Sequence, residues 1–226
     1  MIIVDHVIGG SPADHHAREL PHDERPHLWW FTSSRGAIVL GSAQSADVVD
    51  RSECERLDLE IVTRRSGGGL VLVGHDREVW LDVLLPSSHP LWVNDISLAS
   101  AWLGRAWCDA LLDLGVGDTS DLVTVHEGPM EHNELSPLVC FAGRAPGEVF
   151  IGRSKAVGIS QRRTREWVRF QCALSLRWEP KTMAAVVADS SVTVERLSGL
   201  GTDLDLDVSD VVDAVQRRIT ERLAAR

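Results

Sequence analysis

The segment Arg64-Arg65-Ser66-Gly67-Gly68-Gly69 constrains this chain more than any other, because it lies between two strand-forming runs, 59–63 and 70–73. Glycine loses more backbone freedom on ordering than other residues and has no side chain to pack, so three in a row are kept where the backbone must come close to something. Here that something is read as a ligand. Successive N–H groups on a glycine-rich turn cradle phosphate or carboxylate oxygens, and Arg64 and Arg65 add charge. A tight structural turn between strands is the alternative. No Gly-Lys-Ser/Thr ending follows and no G-x-G-x-x-G opens a helix, so neither a P-loop nor a Rossmann fold is indicated.

A second glycine-flanked segment, Gly152-Arg-Ser-Lys155-Ala-Val-Gly158-Ile-Ser160-Gln161, holds one of the two lysines among 23 basic residues. Arginine is a planar, permanently charged fork, whereas the lysine ammonium is a compact charge on a slim stem that enters a narrow site and contacts one oxygen. Lys155 is therefore a candidate site residue, set against the plainer reading of a solvated cation.

With 226 residues and 44% hydrophobic content the chain can bury the core of one large domain. A formal charge of −10 argues against a general nucleic-acid binder, which needs a positive face. Basic residues nonetheless gather locally at Arg162, Arg163, Arg165 and Arg169. Cysteines 54, 108, 140 and 172 show no C-x-x-C or H-x-C grouping, so neither a structural metal site nor a disulfide framework is indicated, and free thiols suit a reducing compartment. The N-terminus lacks the basic start and apolar length of a signal peptide, and no stretch approaches the ~18 apolar residues of a membrane helix. The expectation is a cytoplasmic protein with no membrane or nucleic-acid partner.

Gly, Pro, His, Asp and Arg dominate 9–27, which reads as loop after a short first strand, and its histidines lack regular ligand spacing. Strands are predicted at 26–31, 36–41, 59–63, 70–73, 79–85, 122–126, 148–151, 155–160 and 168–178, the last with the alternation of a sheet having one wet face. A short helix is expected at 50–57 with Ser52 as N-cap and Glu55 as its capping-box partner. A long one is expected at 95–114, where apolar residues recur at helical spacing up to the stop at Gly115; its tryptophans are read as core. Two more helices are predicted around 181–188 and from Ser209 to the end. Without a regular βαβ repeat, the fold class is α+β.

Val39-Leu-Gly-Ser-Ala-Gln44, then Arg64-Arg-Ser-Gly-Gly-Gly69, then Gly152-Arg-Ser-Lys155-Ala-Val-Gly158-Ile-Ser160-Gln161-Arg-Arg163 resemble the ordered signatures of the lipoate/biotin protein ligase catalytic-domain family. The similarity covers roughly 25–180 and is closest to lipoate–protein ligases and octanoyltransferases, with biotin a more distant substrate class. It implies a mixed β-sheet flanked by helices, and a single catalytic domain over 1–226, partly loop-like at 1–25, with no accessory C-terminal domain.

The resemblance also implies roles. Lys155 would hold the carboxyl or acyl-phosphate oxygens, a cation beside the reacting carbonyl stabilising the charge that builds there. Gln44, the stretch Arg64, Arg65, Ser66, Gly67, Gly68 and Gly69, and Gly158 and Ser160 would line the acyl site. The leading expectation is a ligase that attaches lipoate or octanoate in amide linkage to a carrier-domain lysine through an acyl-adenylate, using ATP and Mg2+.

Cys140, in Ser136-Pro-Leu-Val-Cys140-Phe-Ala-Gly143, resembles the cysteine of octanoyltransferases that work through a thioester. That gives a second reading, ATP-independent transfer with no cofactor, in which a neighbouring lysine would favour the thiolate. A third is a catalytically silent module that binds an acyl chain or carrier, motivated by departures from the family pattern at 73–78 and at Gln171-Cys172. The expected partner is a lipoyl carrier domain of the 2-oxoacid dehydrogenase or glycine cleavage H type, with a separate accessory ligase subunit as a further candidate. Arg162, Arg163, Arg165 and Arg169 would form the edge on which an acidic carrier docks.

Overall fold

The computed structural model describes residues 1–74, 76–117 and 122–224. His75, in the 73–78 stretch that departs from the family pattern, and the last two residues of the predicted C-terminal helix lie outside the described residues.

The run Glu78–Pro86 is buried from Val79 onward. A strand buried on both faces belongs in the middle of a sheet. This one, β6, lies between β2 (His27–Thr32) and β10 (Trp167–Ser175), antiparallel to both. Beyond β2 comes β1 (Ile3–Ile8), parallel to it; beyond β10 come β9 (Ser154–Arg163), β8 (Val149–Ile151) and β7 (Val123–Val125), giving a seven-stranded sheet in the order β1-β2-β6-β10-β9-β8-β7. A second sheet of three strands places β3 (Gly36–Leu40) between β4 (Leu59–Thr63), parallel, and β5 (Val71–Val73), antiparallel. Both sheets are mixed, as α+β requires.

Helices cover what the sheets leave open. On α3 (Ala101–Asp113) the residues Trp102, Leu103, Ala106, Trp107, Ala110 and Leu111 are buried at helical spacing, and they join β6, β9, β10 and α6 (Val208–Ala224) in one apolar cluster. Trp102 and Trp107 are core, as their spacing predicts. A second cluster packs the small sheet against α4 (Pro180–Val186) and α5 (Val194–Leu197), and a third, with Trp29, Phe31, Val39, Trp80 and Leu84, joins strands of the two sheets.

Three local expectations are corrected. The long helix begins at Ala101, not Asp95: the Asp95 carboxylate accepts bonds from Ser97 N (2.8 Å) and Ser97 Oγ (2.6 Å), an alternative that competes with helical bonding. The cap of α2 (Arg51–Arg56) is Asp50, which accepts from Glu53 N at 3.1 Å, while the Ser52 hydroxyl donates back to Asp50. The 9–27 segment contains α1 (Pro12–Ala17), capped by a reciprocal Ser11–Asp14 box and burying His15 and His16. Six residues are too few to make a stable helix alone, so α1 owes its existence to tertiary contacts. It also alters β10, whose predicted wet face is covered: Trp167–Phe170 are all buried.

Candidate active site

Lys155 is 1% exposed, although it carries a charge. Its position follows from the β8–β9 hairpin, whose turn residue Gly152 has φ +58°. Across that hairpin the Lys155 ammonium meets the Glu148 carboxylate at 2.7 Å, and it donates to the Cys140 carbonyl at 2.8 Å. An ammonium has three N–H donors. Among the described residues two are thereby engaged, and Lys155 lines the largest cavity of the site. Glu148 Oε2 also accepts from Ala145 N at 2.7 Å. Burial pushes the Glu148 carboxyl upward, and the adjacent Lys155 charge works against that.

The triple glycine has three different explanations. Gly67 has open space where a side chain would stand, and it lines the cavity. Gly68 adopts φ +100°, a region that favours glycine. A Cβ on Gly69 would come within 2.7 Å of Cys140 N, because Leu70 bridges to Val139 in the segment leading into Cys140: Leu70 N donates to Leu138 O (2.7 Å) and Cys140 N to Leu70 O (2.9 Å). The close approach predicted for a ligand is thus in part an approach to the backbone of the cysteine segment. Arg64, 4% exposed, is turned inward, with Nη2 donating to Gly67 O (2.7 Å) and Gly69 O (2.9 Å). It braces the loop from behind instead of lending it outward charge, whereas Arg65 is exposed. Gln44 likewise ties loops together, accepting from Gly41 N and donating to Pro137 O and Leu138 O, while lining the cavity.

Cys140 stands where two cavities meet. One, of about 890 Å³, is lined by Gly67, Gly68, Gly69, Glu148 and Lys155 among others; the second, of about 50 Å³, is bounded by Val39, Val71, Trp80, Phe141 and Gly158. Ile159 and Ser160 are shared by both. The Cys140 sulfur lies 3.9 Å from Arg64 Nη2, while Lys155 holds the carbonyl of the same residue. The Ser66 hydroxyl is buried and bonded to Ser160 Oγ (3.0 Å) and to Gln171 Oε1 (3.3 Å), which makes Ser66 a brace for the wall that Ser160 presents.

These features sit in a known setting. The lipoyl protein ligase A/B catalytic domain model matches residues 14–220. The chain belongs to that family. Octanoyltransferase LipM of Carboxydothermus hydrogenoformans is 26% identical over 168 residues, 74% of this chain and 59% of that protein, so the aligned part spans somewhat over half of this relative. Similar solved structures are lipoate-protein ligase A bound with ATP (18% identity, TM-score 0.71, 98% of this chain and 84% of that one). Another is the bipartite lipoate protein ligase of Thermoplasma acidophilum studied with its E2 lipoyl domain (16%, TM-score 0.71, 98% and 83%). At such identities the two structures establish the fold, which is the one the sequence motifs imply.

The arginines expected at a docking edge do not stay together in this family member. Arg165 is exposed and Arg162 half-buried, close enough to Arg65 for their charges to interact. Arg163 folds back, donating to Val93 O (2.6 Å) with its guanidinium 4.8 Å from the Trp92 ring centre. Arg169 is 3% exposed and cannot meet a partner. Its guanidinium pairs with buried Asp82 (Nε–Oδ2 2.6 Å) and donates to His15 O and Arg18 O, fastening α1 to the large sheet.

Two residues of the site carry no assigned role in the sequence reading: Glu148, the partner of Lys155, and His16, in the wall of the small cavity. An acid placed just before an otherwise apolar strand run was the available signal for Glu148. Only the burial of α1 reveals His16. Among the described residues no helix is long and apolar enough to cross a membrane.

Proposed function

We propose that this protein transfers an octanoyl or lipoyl group from a thioester donor to a lysine of a lipoyl carrier domain, by way of a thioester on Cys140. The observation that carries the reading is the place of Cys140 at the junction of the two cavities, with the Lys155 ammonium on its carbonyl. In the first step the Cys140 thiolate attacks the donor's acyl carbon, and the donor thiolate leaves and takes up a proton. In the second, the neutral carrier lysine ε-amine attacks the Cys140 thioester, the nitrogen gives up a proton to solvent as the amide forms, and the Cys140 thiolate is released. The larger cavity has room for the acyl chain, the donor arm and then the carrier lysine, and the small, mostly apolar one takes at most the end of the chain. The remaining N–H of Lys155 serves the oxyanion of both tetrahedral intermediates. Glu148 holds that ammonium in place. Arg65, Arg162 and Arg165 supply a basic edge for an acidic carrier.

The similarity to octanoyltransferase LipM supports this order of preference over the acyl-adenylate route that the motifs placed first. Chemistry supports it too. In the lining of the large cavity Lys155 is the one Lys or Arg among the described residues, and it is already paired with Glu148, while Asp95 is engaged by Ser97. That donor set is a poor match for a nucleotide triphosphate and its magnesium.

The test offers apo carrier domain two donors, an octanoylated acyl carrier protein or octanoate with Mg-ATP, and reads carrier acylation by mass spectrometry. Product from the thioester alone, with an acyl adduct on Cys140 and a loss of more than ~10³-fold in Cys140→Ala, is the expected result. Product that requires Mg-ATP and survives Cys140→Ala would instead make the protein a ligase. Ligand binding without product in either arm would make it a silent module.

A further inference from the structure

Ile96 and Met130 line the large cavity and are also 61% and 45% exposed, so they stand at its mouth. Leu98, 57% exposed, lies on the same turn as Ile96. Single exposed apolar residues are common on protein surfaces, but several beside one cavity mouth mark a place where something is covered.

Fixed backbone presents these side chains. Gln161 Nε2 donates to Ile96 O at 2.8 Å, and the Ser100 hydroxyl donates to Pro146 O at 2.7 Å. On the segment of Met130, Glu131 N donates to Arg144 O at 2.8 Å and Arg144 N to Glu131 O at 3.0 Å. The acids along that segment are matched within the chain: Glu127 with Arg105 at 2.8 Å, Glu131 with Arg144 at 3.7 Å and Glu134 with Arg196 at 2.7 Å. What this side of the mouth offers a partner is therefore apolar contact, set apart from the basic edge at Arg65, Arg162 and Arg165.

We propose that Ile96, Leu98 and Met130 form an apolar lip on which the acceptor carrier domain seats while its lysine enters the large cavity. Reach favours the acceptor over the protein that brings the acyl group. A lysine amine hangs on a four-carbon stem, so its domain must come down onto the mouth before the amine can meet a thioester on Cys140. A thioester donor rides on a pantetheine arm many bonds longer, so the protein behind it can stand off the lip. A domain seated there takes the three side chains out of water, which favours docking. This inference rests on the reading in which a carrier lysine takes the acyl group from Cys140.

The experiment loads Cys140 from an octanoyl thioester, adds apo carrier domain over a range of concentrations and follows transfer by mass spectrometry. In the double variant Ile96→Ser with Met130→Ser, the half-saturating carrier concentration should rise about tenfold or more, and in Leu98→Ser about threefold. The limiting rate at saturation, and release of the acyl group to hydroxylamine, an amine too small to touch the lip, should change less than about threefold. Unchanged saturation in the double variant, or an equal loss with hydroxylamine, would overturn the lip and leave acyl transfer intact. Sedimentation checks the other occupant: a wild-type dimer that the double variant dissociates would give the lip to a second copy and overturn the proposal. Direct titration of apo carrier domain tests the lip without chemistry. Binding weakened about tenfold in the double variant, with no acyl group ever found on Cys140, would keep the lip and overturn the thioester route, and no carrier binding by the wild type would overturn both.

Discussion

Two buried ion pairs, Lys155–Glu148 and Arg169–Asp82, look alike by burial and differ in what surrounds them. Their side chains are 1% and 3% exposed in the first and 3% and 0% in the second. Around Arg169 the donors are taken: Asp82, His15 O and Arg18 O receive them, and the pair acts as a rivet between α1 and the large sheet. Around Lys155 two of three donors are engaged among the described residues, and the ammonium stands on the wall of a cavity beside Cys140. Burying a charge is costly unless it is paired, and a fully satisfied pair can at best repay that cost in structure. A pair with a donor left over at a cavity has something to offer a substrate.

The sharpest way to break this comparison is to remove each cation. Arg169→Leu should cost about 3–5 kcal/mol of stability by leaving Asp82 charged and unpaired, read as a lowered denaturant midpoint, with acyl transfer per folded molecule changed less than about threefold. A large loss of activity in the folded fraction would put Arg169 in the site after all. Lys155→Met should lose about 10²–10³-fold in transfer, corresponding to about 3–4 kcal/mol of transition-state stabilisation. The double variant Lys155→Met with Glu148→Gln separates the two effects, because it relieves the stranded carboxyl. Its stability should recover while its activity does not; recovery of both would make Lys155 a rivet like Arg169.

A smaller effect concerns the ring that Arg169 holds in place through α1. Because the His16 pKa is lowered from an ordinary 6.5 to about 3 on folding, the unfolded chain binds the extra proton between those values. Stability from this group is therefore full above pH 6.5 and is lost as pH falls toward 3. Between pH 7 and pH 5 the wild type should lose about 2 kcal/mol more than His16→Phe does, measured by urea unfolding of both at each pH. Equal slopes would show that the ring is hydrated and not held neutral by burial.

How much was legible in advance depends on the range of the interaction. Lys155, Cys140, Gly67 and Ser160 stand out in short motifs, because glycine, a slim cation and a nucleophile are choices a sequence displays directly, and the structure brings all four to one cavity. Arg162, Arg163, Arg165 and Arg169 form one cluster in sequence, whereas Arg169 lies on a central strand, β10, and is held under α1 through His15 O and Arg18 O. Arg64 lines the small cavity, but its guanidinium is spent on Gly67 O and Gly69 O; sequence shows a charge and not its direction. Glu148 was passed over because an acid at the edge of an apolar run is unremarkable until the hairpin sets it against Lys155.

By itself the sequence determined the chemical inventory and most of the elements, though neither α1 nor α5: apolar runs of period two and 3.6 mark the strands and the body of the long helix, and the ordered motifs mark the family. Tertiary structure alone decided which charges are buried, which donors are satisfied, and that Cys140 lies between a wide cavity and a narrow one. The physical reason is that periodicity and turn chemistry act between near neighbours, while desolvation and hydrogen-bond satisfaction depend on groups far along the chain; His16 and Gln171 touch across 155 positions.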